Sequence, residues 1–138
     1  LSKLRTFCEK IMSLVRFSRS EEPISDLRNK IRHVFDIHQL LKDEEIQQFF
    51  GSSSFDNMLI KVGNDDFMNY KNNNDWILEH PSRSIIFDKP QETWKQLSTA
   101  YKGDFKDLVT GKLPEEGKLL ETLKFIATRL KIIEWKII

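Results

Sequence analysis

What the chain lacks narrows it first. A single cysteine, Cys8, rules out an internal disulfide and reads as a small buried hydrophobe. Beside many lysines, acids and asparagines, that cysteine usage resembles an ordinary cytoplasmic protein. No apolar run approaches the roughly 18 residues needed to cross a membrane as a helix, and the start lacks the apolar block of a secretory signal. Together these absences predict a soluble, cytoplasmic chain with no membrane contact. There is no internal repeat, and the low-complexity runs 51-GSSS-54 and 72-NNN-74 read as turns. An initiating methionine is missing too: the chain starts at Leu1, which suggests a piece or a processed product of something longer.

What is present suits one folded unit. With 138 residues and 39% hydrophobic content there is enough chain for a single domain, residues 1–138, with a real core. Net charge is only +1, but it is unevenly spread. Residues 1–42 carry nine Lys/Arg against five Asp/Glu, residues 43–79 carry two against eight, and residues 80–138 carry eleven against eight. A basic N-terminal part is suited to phosphates, although a patchwork of solvated faces gives the same counts.

The dominant pattern is an apolar period of about 3.6 residues between breakers. It predicts a first helix over 7–18, with Thr6 and Glu9 as a capping box and Phe7, Ile11, Leu14, Val15 and Ser18 on one face. After 20-SEEPIS-25, Ser25 or Asp26 caps a second helix containing 30-KIRHVFDIHQLL-41. These two form a helix pair over 1–42, and 43–138 form the remaining helical part. Asp43 caps a short third helix that Gly51 ends; Ser53 or Ser54 begins a fourth, whose far end Gly63 weakens. Residues 69–88 read as loop with at most a short extended piece. Pro90 opens a fifth helix through Trp94, Tyr101, Phe105 and Leu108, closed by Gly111, and Pro114 opens a sixth through Leu119, Leu123 and Leu130. The class is therefore all-α, a compact bundle of about six helices. The apolar tail 132-IIEWKII-138 either packs back onto the bundle or meets another chain or domain.

Several polar residues need a reason for their positions. Lys10 sits among Phe7, Leu14 and Phe17 at the edge of the first helix's apolar stripe, where its stem can cover apolar surface while the ammonium reaches water or a phosphate. On the second helix Asp36 points away from the side defined by Leu27, Ile31, Val34 and Leu41, one turn after Arg32. An exposed pair of that spacing contributes only about 0.3–0.5 kcal/mol, too little to explain it structurally. His38 lies on the apolar face and reads as a satisfied core histidine. His33, Asp36 and His38 do not make a metal site, because the two histidines lie roughly 140° apart around the helix. Gly51-Ser52 followed by Asp65-Asp66 resembles the metal and phosphate motif of a nucleotidyltransferase only superficially: adjacent carboxylates on a helix do not converge as alternating ones on a strand do.

The order of features carries more than any single one. The runs 6-TFCEKIMSLVRFS-18 and 28-RNKIRHVFDIHQLL-41 resemble the downstream motifs of the AbiEii/AbiGii-type nucleotidyltransferases, the toxins of bacterial type IV toxin-antitoxin, abortive-infection systems. In that family a helix opening Thr-x-x-Glu-Lys precedes one reading Arg-Asp or Arg-His, two residues, Asp and an aliphatic. Lys10, Arg32 and Asp36 fall on the lysine, arginine and aspartate. Where many relatives have an acid just after the arginine, this chain has His33. The stretch 94-WKQLSTAYKGDFKDLVTGKLPEEGKLLETLKFI-126 resembles the family's C-terminal helix pair.

The resemblance implies that this chain is the C-terminal part of such a toxin, without the polymerase-β-like core that supplies the glycine-serine and Asp-x-Asp motifs, and inactive alone. The whole protein would move a nucleotidyl group from a nucleoside triphosphate, with Mg2+, to tRNA or a protein acceptor, and would answer to a cognate antitoxin. In this part no cofactor or metal is implied. Lys10 would meet the triphosphate and Asp36, oriented by Arg32, would position or deprotonate the acceptor or hold the lysine. The face bearing Asp36 would then turn to the absent domain, with Asp36 exposed on the same side as the Lys10 ammonium. A reading of another class is a free-standing helical module that presents its basic N-terminal helices to nucleic acid, or its apolar tail to a protein.

Overall fold

Ser2 sets the start of the helix around which the others pack. In the computed structural model, which describes residues 2–69, 74–103 and 114–135, its hydroxyl accepts from the Arg5 amide and α1 runs over Lys3–Phe17. The helix thus starts four residues before the expected capping box. Thr6 is interior, and Glu9 serves the Arg5 guanidinium at 3.2 Å instead of capping. The apolar stripe lies as expected: Phe7, Ile11, Leu14 and Val15 are buried, and so are Cys8 and Met12 on the widened stripe. Widening follows from position, since α1 is packed by neighbours on several sides.

The expected second helix is two. α2 (Pro23–Asn29) and α3 (Ile31–Leu40) part at Lys30, whose φ of −111° and ψ of 19° leave the helical basin. No glycine or proline marks this break. The bend lets α2 pack on α7 while α3 packs between α1 and α8, and the Lys30 ammonium lies 5.1 Å from the Phe17 ring centre. Asp43 caps α4 (Glu44–Phe50) as the sequence predicts, accepting from the Glu45 and Ile46 amides, and Gly51 follows its end.

α5 (Ser53–Asn69) passes through Gly63 without fraying there. Instead of weakening the helix end, Gly63 leaves room for a ring: a Cβ built on it would lie 2.9 Å from Cη2 of Trp135. Beyond α5 come 3-10 turns at Asn74–Leu78 and Pro81–Arg83 and a one-turn α6 (Ile85–Asp88), and no strand occurs among the described residues. α7 (Pro90–Lys102) opens on proline as expected but ends at Gly103; Phe105, Leu108 and Gly111 lie outside the described residues. α8 (Glu116–Leu130) starts two residues after Pro114. The described residues are therefore all-α, with eight α-helices where about six were expected. None of these helices is long and apolar enough to cross a membrane.

Buried side chains from every α-helix and from the 3-10 turn at Asn74–Leu78 form one apolar cluster. At its centre the Phe7, Phe50 and Phe55 rings meet with centroids 4.8–6.1 Å apart, tying α1, α4 and α5. The described part of the tail packs back: Ile133 is buried, its carbonyl accepts from Nε2 of His80 at 2.7 Å, and the Trp135 indole donates to the Ile77 carbonyl at 3.0 Å. Residues 136–138 lie outside the described residues.

The uneven charge along the chain evens out in space. Lys3 pairs with Asp43 and Glu45, Arg5 with Asp65, Arg16 with Asp66 and Arg19 with Glu79. Four of the nine cations of residues 1–42 are thus spent on acids of residues 43–79. Asp65 and Asp66 serve as anchors of α5 on α1, which is a structural use of the adjacent pair.

Candidate functional site

Lys10 leaves α1 one turn after Thr6 and one turn before Leu14, so its stem runs over the apolar stripe and its ammonium emerges at the edge. There it meets α3. The Lys10 Nζ donates to Asp36 Oδ2 at 3.0 Å, joining residues 26 positions apart. The two side chains are 22% and 21% exposed, so the pair is neither solvated decoration nor sealed in the core.

Asp36 is thus not the exposed residue that helical geometry suggested. Asp36 was expected to be exposed because Leu27, Ile31, Val34 and Leu41 define an opposite core side. In the fold α3 lies between two helices, so the face opposite α8 is covered by α1. The expected side is right and the expected exposure is not. Arg32 stands outside, 63% exposed, with its Nε 3.8 Å from the same Asp36 oxygen. That distance is an ion pair without a good hydrogen bond, so Arg32 contributes field to Asp36 more than fixed orientation.

The pair opens into a shallow groove of about 360 Å3 lined by Thr6, Lys10, Asp36, Gln39, Leu40 and Asp43. Thr6, Gln39 and Asp43 were not picked out as site residues by the sequence. The signal was available in their spacing: Thr6 precedes Lys10 by four and Gln39 follows Asp36 by three, which places each beside its partner on the helix surface. Asp43 was assigned to capping, and it does both, since its Oδ1 takes the α4 amides and its Oδ2 takes Lys3 at 2.9 Å. The Lys3 ammonium and the Ile46 amide hold the Asp43 carboxyl below the usual carboxylate range.

Chemically the groove offers donors and acceptors in one place. The ammonium has three N–H donors, of which Asp36 takes one, and the second carboxylate oxygen keeps its lone pairs. Such a pair can meet an anionic oxygen with the lysine and a hydroxyl with the aspartate, without either charge leaving its partner.

The histidines go elsewhere. His33 is half-buried near the pair, and burial first, then Lys10 and Lys30, push its imidazole down to about 4. It is therefore a neutral neighbour of the Lys10 ammonium at pH 7, where an acid in the same place would compete with Asp36. Its Nδ1 is buried with no hydrogen-bond partner among the described residues. His38 is half-buried and bonds Thr122 on α8 through Nδ1 at 2.8 Å, so only one of its ring nitrogens is satisfied where a satisfied core histidine was expected. His33, Asp36 and His38 do not converge, and no group of three or more His, Cys, Asp or Glu side chains able to hold a metal occurs among the described residues. Cys8 is buried, and burial pushes its thiol up to about 12, so it is inert.

Comparison with protein-family models, with curated proteins and with solved structures found no match. The functional reading therefore rests on the geometry and on the motif resemblance of the two N-terminal runs.

Proposed function

We propose that this chain is the C-terminal helical part of an AbiEii-like nucleotidyltransferase toxin, in which Lys10 and Asp36 serve transfer of a nucleotidyl group to tRNA or a protein side chain. The observation that supports the reading is the contact between two motif residues from different helices. The resemblance singles out Lys10 and Asp36 in separate runs, and a half-buried ion pair at the mouth of a groove brings them together. Periodicity alone gave neither residue a partner on the other helix.

In this reading Lys10 uses its remaining donors on the triphosphate and offsets charge developing there, and Asp36 accepts from the hydroxyl of the acceptor while fixing the lysine. Arg32 adds positive field beside Asp36 from outside, 3.8 Å from the same carboxylate oxygen. In this reading the nucleotide and Mg2+ are carried mainly by an upstream polymerase-β-like domain, as the motif resemblance implies. The chain alone does not catalyse, and a cognate antitoxin acts on the whole protein.

The rival reading, a free-standing nucleic-acid module with a basic N-terminal face, draws less support. Lys3, Arg5, Arg16 and Arg19 are held by acids of the same chain and offer a phosphate backbone a reduced positive field. Growth inhibition by the protein extended through its upstream domain tests the choice. Lys10→Ala and Asp36→Ala should each abolish toxicity while leaving the helical circular-dichroism spectrum unchanged, and toxicity that survives both substitutions would sink the assignment.

A further inference from the structure

On the other flank of α3 lies a second groove, independent of the Lys10–Asp36 pair. Asp36 and His38 are two residues apart, about 200° around the helix, so that as Asp36 faces α1, His38 faces α8. The groove between α3, α4 and α8 has a volume of about 520 Å3, within the range of small-molecule sites.

Four features of its wall belong together. Phe125 of α8 is a large apolar side chain left 57% exposed, and its ring meets Phe50 at a tilt of 44° with centroids 5.2 Å apart, so it is braced by a neighbour while more than half of it stays open. Lys42 and Lys118 line the groove from α3's end and from α8, and neither has an ion-pair partner among the described residues. With Glu121 as the one acid on the wall, the lining carries two ammonium groups against one carboxylate. The last feature is a ring nitrogen. His38 Nδ1 lies 2.8 Å from the Thr122 hydroxyl, which also lies 3.1 Å from the Lys118 carbonyl, so the imidazole is tied to α8 through Nδ1. Its other ring nitrogen, Nε2, has no protein partner among the described residues. Burial, then Lys42 and Lys118, lowers the imidazole's affinity for a proton and so favours its neutral form.

We propose that this groove binds a nucleotide unit: its base stacks on Phe125, its phosphate takes the ammonium groups of Lys42 and Lys118, and a polar group of the base or ribose bonds His38 Nε2. An open aromatic face accepts any base, because every base has a π-face, and paired ammonium groups supply the phosphate's counter-charge. A purely anionic ligand leaves the Phe125 ring without a role, and a purely apolar one leaves two lysines desolvated. A free mononucleotide and one unit of a single strand carry the same chemistry.

The test is amide NMR on the 15N-labelled chain titrated with AMP, with adenosine, inorganic phosphate and a short oligoadenylate in parallel. AMP should shift amides at the end of α3 and in the first half of α8, more tightly than adenosine or phosphate alone. Phe125→Leu, which keeps apolar contact with Phe50 but removes the π-face, and Lys118→Glu should each weaken AMP about tenfold or more with the spectrum otherwise unchanged. Tighter binding of the oligoadenylate to the same residues identifies a strand as the source, and equal binding identifies the free nucleotide. The proposal is overturned by an absence of AMP shifts, by shifts centred on the Lys10–Asp36 groove, by phosphate binding as tightly as AMP, or by Phe125→Leu leaving affinity unchanged.

Discussion

Gly63→Ala puts two opposing effects on one methyl group. In a helix interior, alanine is favoured over glycine by about 1 kcal/mol, so an open Gly63 would make this substitution stabilising. The site is not open. The added Cβ would lie 2.9 Å from Cη2 and 3.3 Å from Cζ2 of Trp135, with Met12 Cε at 3.6 Å behind. The indole cannot swing aside freely, because its Nε1 donates to the Ile77 carbonyl at 3.0 Å and Ile133 two residues earlier is buried. Overpacking of this kind costs about 1–3 kcal/mol, which exceeds the propensity gain. The expected net effect is destabilisation of about 1 kcal/mol in urea unfolding followed by far-UV circular dichroism. Removing the ring reverses the sign: in a Trp135→Ala background, Gly63→Ala should stabilise by about 1 kcal/mol. A stabilising Gly63→Ala in the presence of Trp135, or the same effect with and without the ring, would refute the reasoning.

Three further outcomes follow from the packing. Arg129 donates to the Phe50 and Ser52 carbonyls at 2.7 and 3.1 Å and pairs with Asp56, fastening α8 to the α4–α5 corner. Arg129→Lys should therefore lose about 2–4 kcal/mol by urea unfolding, since an ammonium cannot reproduce the planar fork, and a loss below about 0.5 kcal/mol would contradict this role. A double-mutant cycle of Lys10→Met and Asp36→Ala should give a coupling of about 1–2 kcal/mol, between the values for exposed and buried pairs; a coupling near zero would mean the contact is not made in solution. His33 sets a pH dependence. Its folded-state pKa, about 4, lies below the ordinary 6.5, so the unfolded chain takes the proton first; its contribution is complete above about 6.5 and falls away as pH drops towards about 4. Discounted for partial solvent access, that loss is about 1–2 kcal/mol, and it should be missing from the pH–stability curve of His33→Gln.

The sequence carried most of the helices and little of how they meet. Asp43 and Pro90 were legible because an N-cap and an N1 proline act on their own helix, and the buried stripe of α1 was legible because its period is local. The break at Lys30 was not, since it has no glycine or proline and follows from α2 and α3 packing on different neighbours. Gly63 was misjudged for the same reason: its use depends on Trp135, 72 residues away in the chain. At the candidate site, the residues Lys10, Arg32 and Asp36 came from motif order, while their arrangement needed the fold. A helical wheel places Asp36 opposite the core, and only the position of α1 against α3 turns that face into the wall of a groove shared with Lys10. The apparent basic N-terminus likewise dissolves once Asp43, Asp65, Asp66 and Glu79 are brought beside it.

The most direct test of the central claim is transfer of labelled nucleotide from a nucleoside triphosphate to a tRNA or protein acceptor by the chain joined to the upstream domain that the proposed function requires. The account predicts that Lys10→Ala and Asp36→Ala each reduce transfer by about 100-fold or more, as expected for groups that stabilise charge or move a proton in the transition state, with unfolding midpoints still high enough to keep the protein folded in the assay. Transfer at the unsubstituted rate in both variants would contradict it.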